Sequence, residues 1–360
     1  MLIEITHSRV NALSDLTLEE LQRRLADWGF KPSHAARLLR SFYAGAGQIA
    51  WTELKVPGGL RERMESECEA GRVQVAARQV ADDGTTKLLL RLTDGKTVEA
   101  VMMPDHREDR AAGCISSQVG CAMGCDFCAT AQSGFERNLT AGEMVEQFLH
   151  LRREARAVGR RLQTVVFMGM GEPMLNLENV LEAIRRMAGN GLGGLGGRQI
   201  TVSTVGIVPG IDALADARLG VNLAISLHAP DDATRAQLLP AGRRYGVKEI
   251  MAAADRFQAG NNDRPMSIQY CLLQGVNDSP EQARQLAALL ENRRMHVNLL
   301  HFNPTGASLS GRRYEESSPE AAEAFIAELR SRRVVAHFRR PRGRDIAAAC
   351  GQLRQRAQSS

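Results

Sequence analysis

Apolar residues recur at helical spacing over the first 70 positions, at strand-like alternation over the next 40, and in alternating blocks of both kinds after about residue 110. Thr17-Leu18-Glu19-Glu20 has the form of a capping box and opens a predicted helix with Leu21, Leu25 and Trp28 on one face, ended by Gly29. Pro32-Ser33 opens a second helix carrying Ala36, Leu39 and Phe42, and a third runs from about Gly59 to Cys68. Strands are predicted at Arg72–Val80, Lys87–Leu92 and Thr97–Met103, joined at the turn dipeptides Asp83-Gly84 and Asp94-Gly95, so this part is a meander of hairpins.

Further on, predicted strands at Thr164–Met168, Gln199–Ser203, Asn222–Ser226, Met266–Leu272, His296–Phe302 and Val334–Phe338 alternate with helices. The helices fall at Ala141–Arg156, Leu177–Met187, Val208–Ala215, Asp231–Leu239, Val247–Gln258, Pro280–Glu291 and Pro319–Arg332. Repeated βα units imply a parallel sheet with members enough for a full or partial barrel. The expected organisation is a helical module over 1–70, a β-meander over 71–109, a barrel core over 110–353 and a tail over 354–360. The glycine-rich stretch Gly191–Gly197 precedes a strand instead of opening a helix, so it is expected to be a connection and not a phosphate loop.

Composition narrows the class. The 360 residues are 44% hydrophobic and 24% charged, with no run near the roughly 18 apolar residues of a membrane span, and Met1–His7 lacks a signal-peptide pattern. A cytoplasmic protein that does not enter membranes is expected. The net charge of +5 permits a polyanionic partner, while 4% aromatic residues argue against an extended stacking platform for single strands. Arg152, Arg153, Arg156, Arg160 and Arg161 are expected to form a solvated helix face, and Arg339, Arg340, Arg342 and Arg344 to contact phosphate.

The seven cysteines change the picture most. Four lie between Cys114 and Cys128, a density that in a cytosolic setting reads as metal binding or catalysis. Cys121, Cys125 and Cys128 are spaced to wrap one metal centre. A structural zinc site would need a fourth ligand, for which Cys114 and, less well placed, His150 are available. Three thiolates on a [4Fe–4S] cluster instead leave one iron open to S-adenosylmethionine. The Cys-x3-Cys-x2-Cys spacing, with Phe127 before the last Cys, resembles the signature of the radical S-adenosylmethionine superfamily. The turn Gly169-Met170-Gly171-Glu172-Pro173 follows a strand, and Ser203, Ser226-Leu227-His228 and Asn303 stand at the C-terminal ends of later strands, where βα barrels carry their sites. Each alone has an ordinary alternative as a strand end or helix cap.

Wider matches are Cys114-Ile115-Ser116-Ser117-Gln118-Val119-Gly120-Cys121, Gln132–Leu139, Met168–Pro173, Ser203–Gly206, Ile225–Pro230 and Asp345–Leu353. On these the chain resembles the RlmN and Cfr family of radical RNA adenine methyltransferases over nearly its whole length. The resemblance implies a partial (βα)6-type radical SAM barrel, a [4Fe–4S] cluster on Cys121, Cys125 and Cys128, and two molecules of S-adenosylmethionine per turnover. It implies cofactor contacts from Gly171, Glu172, Ser203, Ser226, Leu227, His228 and Asn303. It also implies that Cys350 is methylated, that its methyl carbon becomes a radical and adds to adenine, and that Cys114 breaks the resulting crosslink by forming a disulfide with Cys350, which a reductant reopens. Each cysteine alone could be a buried, inert thiol. Cys68 and Cys271 match no family role and are taken as structural.

The proton acceptor implied by the resemblance is Glu99, with Glu108 and Asp109 as rivals because of a local insertion before Cys114. Pro173 after Gly171-Glu172 points to methylation of adenine carbon 2, as in RlmN-type members, over carbon 8, as in Cfr-type members. The implied partners are 23S rRNA, with tRNA for some members, and an external electron donor. The contrasting reading is a non-catalytic, metal-stabilised RNA-binding protein, which would need neither Cys350 nor the polar strand ends.

Overall fold

The computed structural model describes residues 11–69, 71–189, 192–240, 244–262, 264–306 and 308–353. The expectations for Met1–His7, for the 354–360 tail and for Gly191 lie outside the described residues. Among the described residues no helix is long and apolar enough to cross a membrane.

One ten-stranded sheet organises the molecule. Its strands lie side by side in strict chain order: Gln74–Val80, Thr86–Arg91, Thr97–Pro104, Arg110–Cys114, Arg161–Phe167, Ile200–Thr204, Asn222–Ser226, Met266–Leu272, Met295–His301 and Val335–Arg339. From Arg110–Cys114 onward every pair is parallel; the three earlier strands are antiparallel and continue the same sheet. The barrel is partial, as expected, but seven strands run parallel where six are predicted. The strand the sequence pattern hides is Arg110-Ala111-Ala112-Gly113-Cys114. Its small residues have little strand propensity, and their use is close packing: a β-carbon on Gly113 would sit 3.0 Å from Leu151 Cδ1.

The predicted helices form within a few residues of expectation, at Ala141–Ala157, Leu177–Ala188, Val208–Asp216, Asp232–Leu238, Val247–Gly260, Pro280–Leu289 and Pro319–Ser331. Apolar contacts between this layer and the sheet form the main core. At the N-terminal side, Leu18–Asp27 carries the predicted capping box, with Thr17 and Glu20 each closing on the other's backbone N–H. The helix His34–Ala44 buries Ala35, Leu38 and Tyr43 beside Leu39 and Phe42, so its buried face is rotated from the predicted one and Ala36 is only half-buried.

Buried Glu146, in the Ala141–Ala157 helix, ties this module to the barrel. It accepts from Ser14 Oγ at 2.5 Å, from Arg72 N and from Val73 N at 2.7 Å. The cluster Arg152–Arg161, expected to form a solvated helix face, runs past the end of that helix and departs from the expectation. Arg152 donates to the carbonyls of Tyr43 and Gly193, and Arg160 to those of Asp105, Arg107 and Arg110, so both hold loops together.

Candidate active site

The cluster motif is a loop closed at its base by a two-stranded ribbon, Gln118–Gly120 against Phe135–Asn138, which the sequence pattern did not reveal. Gly120 is required there: its φ is +75°, and a β-carbon would lie 1.8 Å from the Gly134 carbonyl oxygen. Cys121 N–H then donates to that same carbonyl at 2.8 Å. Asp126 pins the far side of the loop, accepting from Ser310 N–H at 2.7 Å, Ser310 Oγ at 2.6 Å and the Tyr314 hydroxyl at 2.7 Å. Burial would raise the Asp126 pKa, but these donors outweigh it and hold the carboxylate below its ordinary value.

Burial pushes the Cys121 thiol up to about 12 and the Cys125 thiol well above its ordinary value, and the neighbouring Cys128 raises both further. Thiols so placed become thiolates when a cationic centre binds them. Among the described residues no three His, Cys, Asp or Glu side chains converge closely enough to hold a single metal ion. Cys121, Cys125 and Cys128 lie close enough to influence one another's ionisation, and three thiols on one loop are the donor set that a [4Fe–4S] cluster with one open iron would use.

The C-terminal ends of the parallel strands surround this loop. After Arg161–Phe167 the chain turns at Gly171, whose φ of +99° and contact with Gln118, 2.5 Å from a notional β-carbon, admit only glycine. Buried Glu172 accepts from Val205 N–H at 2.9 Å and Met174 N–H at 3.1 Å, bridging two strand ends, and burial raises its pKa to about 7. Ser203 and Ser226 face each other with hydroxyls 3.3 Å apart. Leu227 turns its side chain into the core and donates its N–H to Gln269. His228 has a φ of +57°, accepts from Cys271 N–H at Nδ1 and stacks edge-on with Phe127. Burial, with Arg235 adding to it, lowers its pKa to about 3, so the ring is neutral. Asn303 donates to the Cys350 carbonyl at 3.3 Å and accepts from Arg344 at 2.8 Å.

The chain's two remote cysteines meet here. Cys114 ends its strand, buried, and Cys350 lies in the segment after the last strand. Both are free thiols on one cavity of about 1710 Å³ that also takes in Cys125, Cys128, Ser203, Ser226, His228 and Asn303. They are near enough that charge on Cys350 adds to the burial that already raises Cys114. Cys271, taken as structural, lines the same cavity. The C-terminal segment is bonded to the cluster loop by Ala129 N–H to the Gly351 carbonyl at 2.7 Å and Thr130 Oγ1 to the Leu353 carbonyl at 2.9 Å.

Glu99 is 1% exposed, on the strand next to Cys114, and its carbonyl accepts from Ser116 Oγ at 2.7 Å. That places it at the C-terminal end of the parallel strands. Glu108 and Asp109 are exposed in the turn before Arg110, at the opposite end of the same strand. Sequence reasoning missed Lys87, whose Nζ lies 3.1 Å from Glu99 Oε1. Its strand is buried on both faces from Thr86 to Leu90, and a lysine amid such residues was the available signal. The expected phosphate role also narrows: Arg344 is engaged by Asn303 and Glu316.

Known proteins resemble this chain in sequence and in fold. Residues 115–287 match the model of the Radical SAM superfamily. The chain is 68% identical over 343 residues, 95% of this chain and 96% of the other, to a probable dual-specificity RNA methyltransferase RlmN 1 of Opitutus terrae. It is 41% identical to a dual-specificity RNA methyltransferase RlmN of Syntrophobacter fumaroxidans, over 95% of this chain and 97% of that one. A crystal structure of a radical SAM methyltransferase from Sphaerobacter thermophilus superposes with a TM-score of 0.90 at 41% identity, covering 96% of this chain and 100% of that one.

Proposed function

Since the chain belongs to the RlmN family of radical SAM methyltransferases, we propose that it methylates carbon 2 of adenine in 23S rRNA and in tRNA, in the cytoplasm, with electrons from an external donor. The observation that carries this reading is the meeting of Cys114 and Cys350 on the cavity that also takes in the cluster loop. A metal-stabilised binding module has no use for that juxtaposition.

Cys121, Cys125 and Cys128 would hold the [4Fe–4S] cluster, and Gly171, Glu172, Ser203, Ser226, His228 and Asn303, which line the cavity, would contact S-adenosylmethionine, with Leu227 contributing backbone alone between Ser226 and His228. When bound, the cluster supplies the electron that cleaves S-adenosylmethionine reductively. Cys350 carries the methyl carbon to adenine as a thioether. Glu99, buried and ion-paired, takes the ring proton. Cys114 attacks the sulfur of Cys350: the S–S bond forms, the S–C bond breaks, and its electron pair stays with the carbon, which gains a proton. Burial keeps Cys114 protonated until then, protecting it from premature oxidation.

The test is mass spectrometry of rRNA and tRNA nucleosides from cells with and without the gene. Loss of 2-methyladenosine is expected. Loss of 8-methyladenosine would move the protein to the Cfr-type reaction, and no change in either nucleoside would overturn the proposal.

A further inference from the structure

Lys87 has no place in the reaction as described above, yet it is a cation with a side chain only 7% exposed. Its ammonium makes two contacts at once: 3.1 Å to Glu99 Oε1 and 3.2 Å to the carbonyl oxygen of Ala347. The first partner is the proposed proton acceptor. The second lies three residues before Cys350, and Ala347 has a φ of +50°, a left-handed conformation that a residue with a β-carbon holds only when its surroundings impose it.

The rest of the Asp82–Lys87 hairpin grips the same segment. Asp82 N–H donates to Asp345 Oδ2 at 3.0 Å, Gly343 N–H to Asp83 Oδ2 at 3.3 Å, and Arg342 lies 3.9 Å from Asp83. These contacts join residues about 260 positions apart in the chain.

We propose that Lys87 is a positioning residue that clamps the Cys350 segment to the Glu99 carboxylate, so that the carbon carrier and the proton acceptor are held in register by one side chain. This rests on the function proposed above only for the roles of Glu99 and Cys350; the clamp itself is a statement about structure. It has a consequence that a merely stabilising lysine would not have. Neutralising Glu99 removes one anchor of Lys87 and so loosens the segment that Lys87 holds through the Ala347 carbonyl.

The experiment is hydrogen exchange read by mass spectrometry on the full-length holoenzyme, following peptides over 343–353 and, as an internal reference, the helix Ala141–Ala157. Lys87→Met is expected to speed exchange in 343–353 at least tenfold and leave the reference helix unchanged. Glu99→Gln should speed the same peptide by a smaller factor. Lys87→Arg, which keeps the charge and the donors, should restore most of the protection, and Lys96→Met, which removes only a surface pair with Glu136, should leave 343–353 as in the wild type. In RNA methylation Lys87→Met should lower kcat tenfold or more while KM for RNA stays within twofold. Unchanged exchange in 343–353 for Lys87→Met overturns the clamp. So does a uniform rise that includes the reference helix, since it makes Lys87 a general stability residue. If the wild type shows the clamp but methylates no RNA, the functional reading fails and the clamp stands.

Discussion

The cluster loop and the Cys350 segment face each other across one cavity but are held there by opposite means. The loop is mainly a local structure: its ribbon closes over residues 118–138, and its distant supports are the Asp126 contacts with Ser310 and Tyr314, the Asp126 N–H bond to the Leu238 carbonyl and the bonds of Ala129 and Thr130 to the C-terminal segment. The Cys350 segment contains only short turns, and its place depends on contacts with residues far away in sequence, among them Asp82, Asp83, Lys87, Ala129, Thr130 and Asn303. A motif that closes on itself is fixed by spacing alone. A motif that closes on the rest of the molecule is fixed only once the whole sheet has formed.

The largest effect should come from breaking the local member. Cys121→Ala, Cys125→Ala and Cys128→Ala should each lose the cluster, lowering iron from about four per chain to below one after anaerobic purification, and methylation by more than a thousandfold. Because the loop's closure uses backbone and Asp126, each variant should still fold, with circular dichroism like the wild type. Stoichiometric zinc in the wild type would break the comparison at its root.

The next effect separates the two remote cysteines. Cys350→Ala removes the carbon carrier, so no RNA adduct forms. Cys114→Ala keeps the carrier and loses the thiol that resolves the adduct, so protein–RNA complex surviving denaturation should accumulate to a large fraction of the enzyme. Burial raises the Cys114 pKa, so its thiolate fraction is small at neutral pH and grows as pH rises. Resolution in the wild type should therefore speed up with pH between 6.5 and 8.5, measured by quenched gels. A rate that falls over that range would exclude Cys114 as the attacking thiol.

The same contrast explains what was legible in the sequence. The cysteine trio was readable from its spacing alone, and the Gly171 turn and the strand-end serines because each is a short pattern following a recognisable strand. The strand Arg110–Cys114 was not, because its residues are chosen for smallness against Leu151 and Leu162 and not for strand propensity. Lys87 was not, because a lysine in a strand ordinarily points to solvent; only the pairing of Lys87 with Val101 and the closure of the C-terminal segment bury it. Arg344 looked like a phosphate ligand because the sequence places it among arginines, whereas the fold places it between Asn303 and Glu316. Cys114 and Cys350 could be paired beforehand only by resemblance, since 236 positions separate them.

The smallest effects give the sharpest test, because two single hydrogen-bonding groups should dissociate the two regions. Thr130→Val removes the Oγ1 bond to the Leu353 carbonyl, a loss of about 1 kcal/mol. It should speed hydrogen exchange in 343–353 and leave cluster content at the wild-type level. Asp126→Asn presents an amide where three donors converge, costing about 1–3 kcal/mol. It should lower cluster content after reconstitution and leave exchange in 343–353 unchanged. The carboxylate also has a pH signature. Its folded-state pKa lies below its ordinary value, so the stability it contributes is present above that ordinary value of 3.8 and is lost as pH falls through the folded pKa. Denaturation midpoints between pH 5 and 3 should therefore fall less steeply in Asp126→Asn than in the wild type. If instead Thr130→Val and Asp126→Asn each disturb both regions equally, the loop and the segment are one cooperative unit. The cluster motif would then depend on the completed sheet as much as Cys350 does.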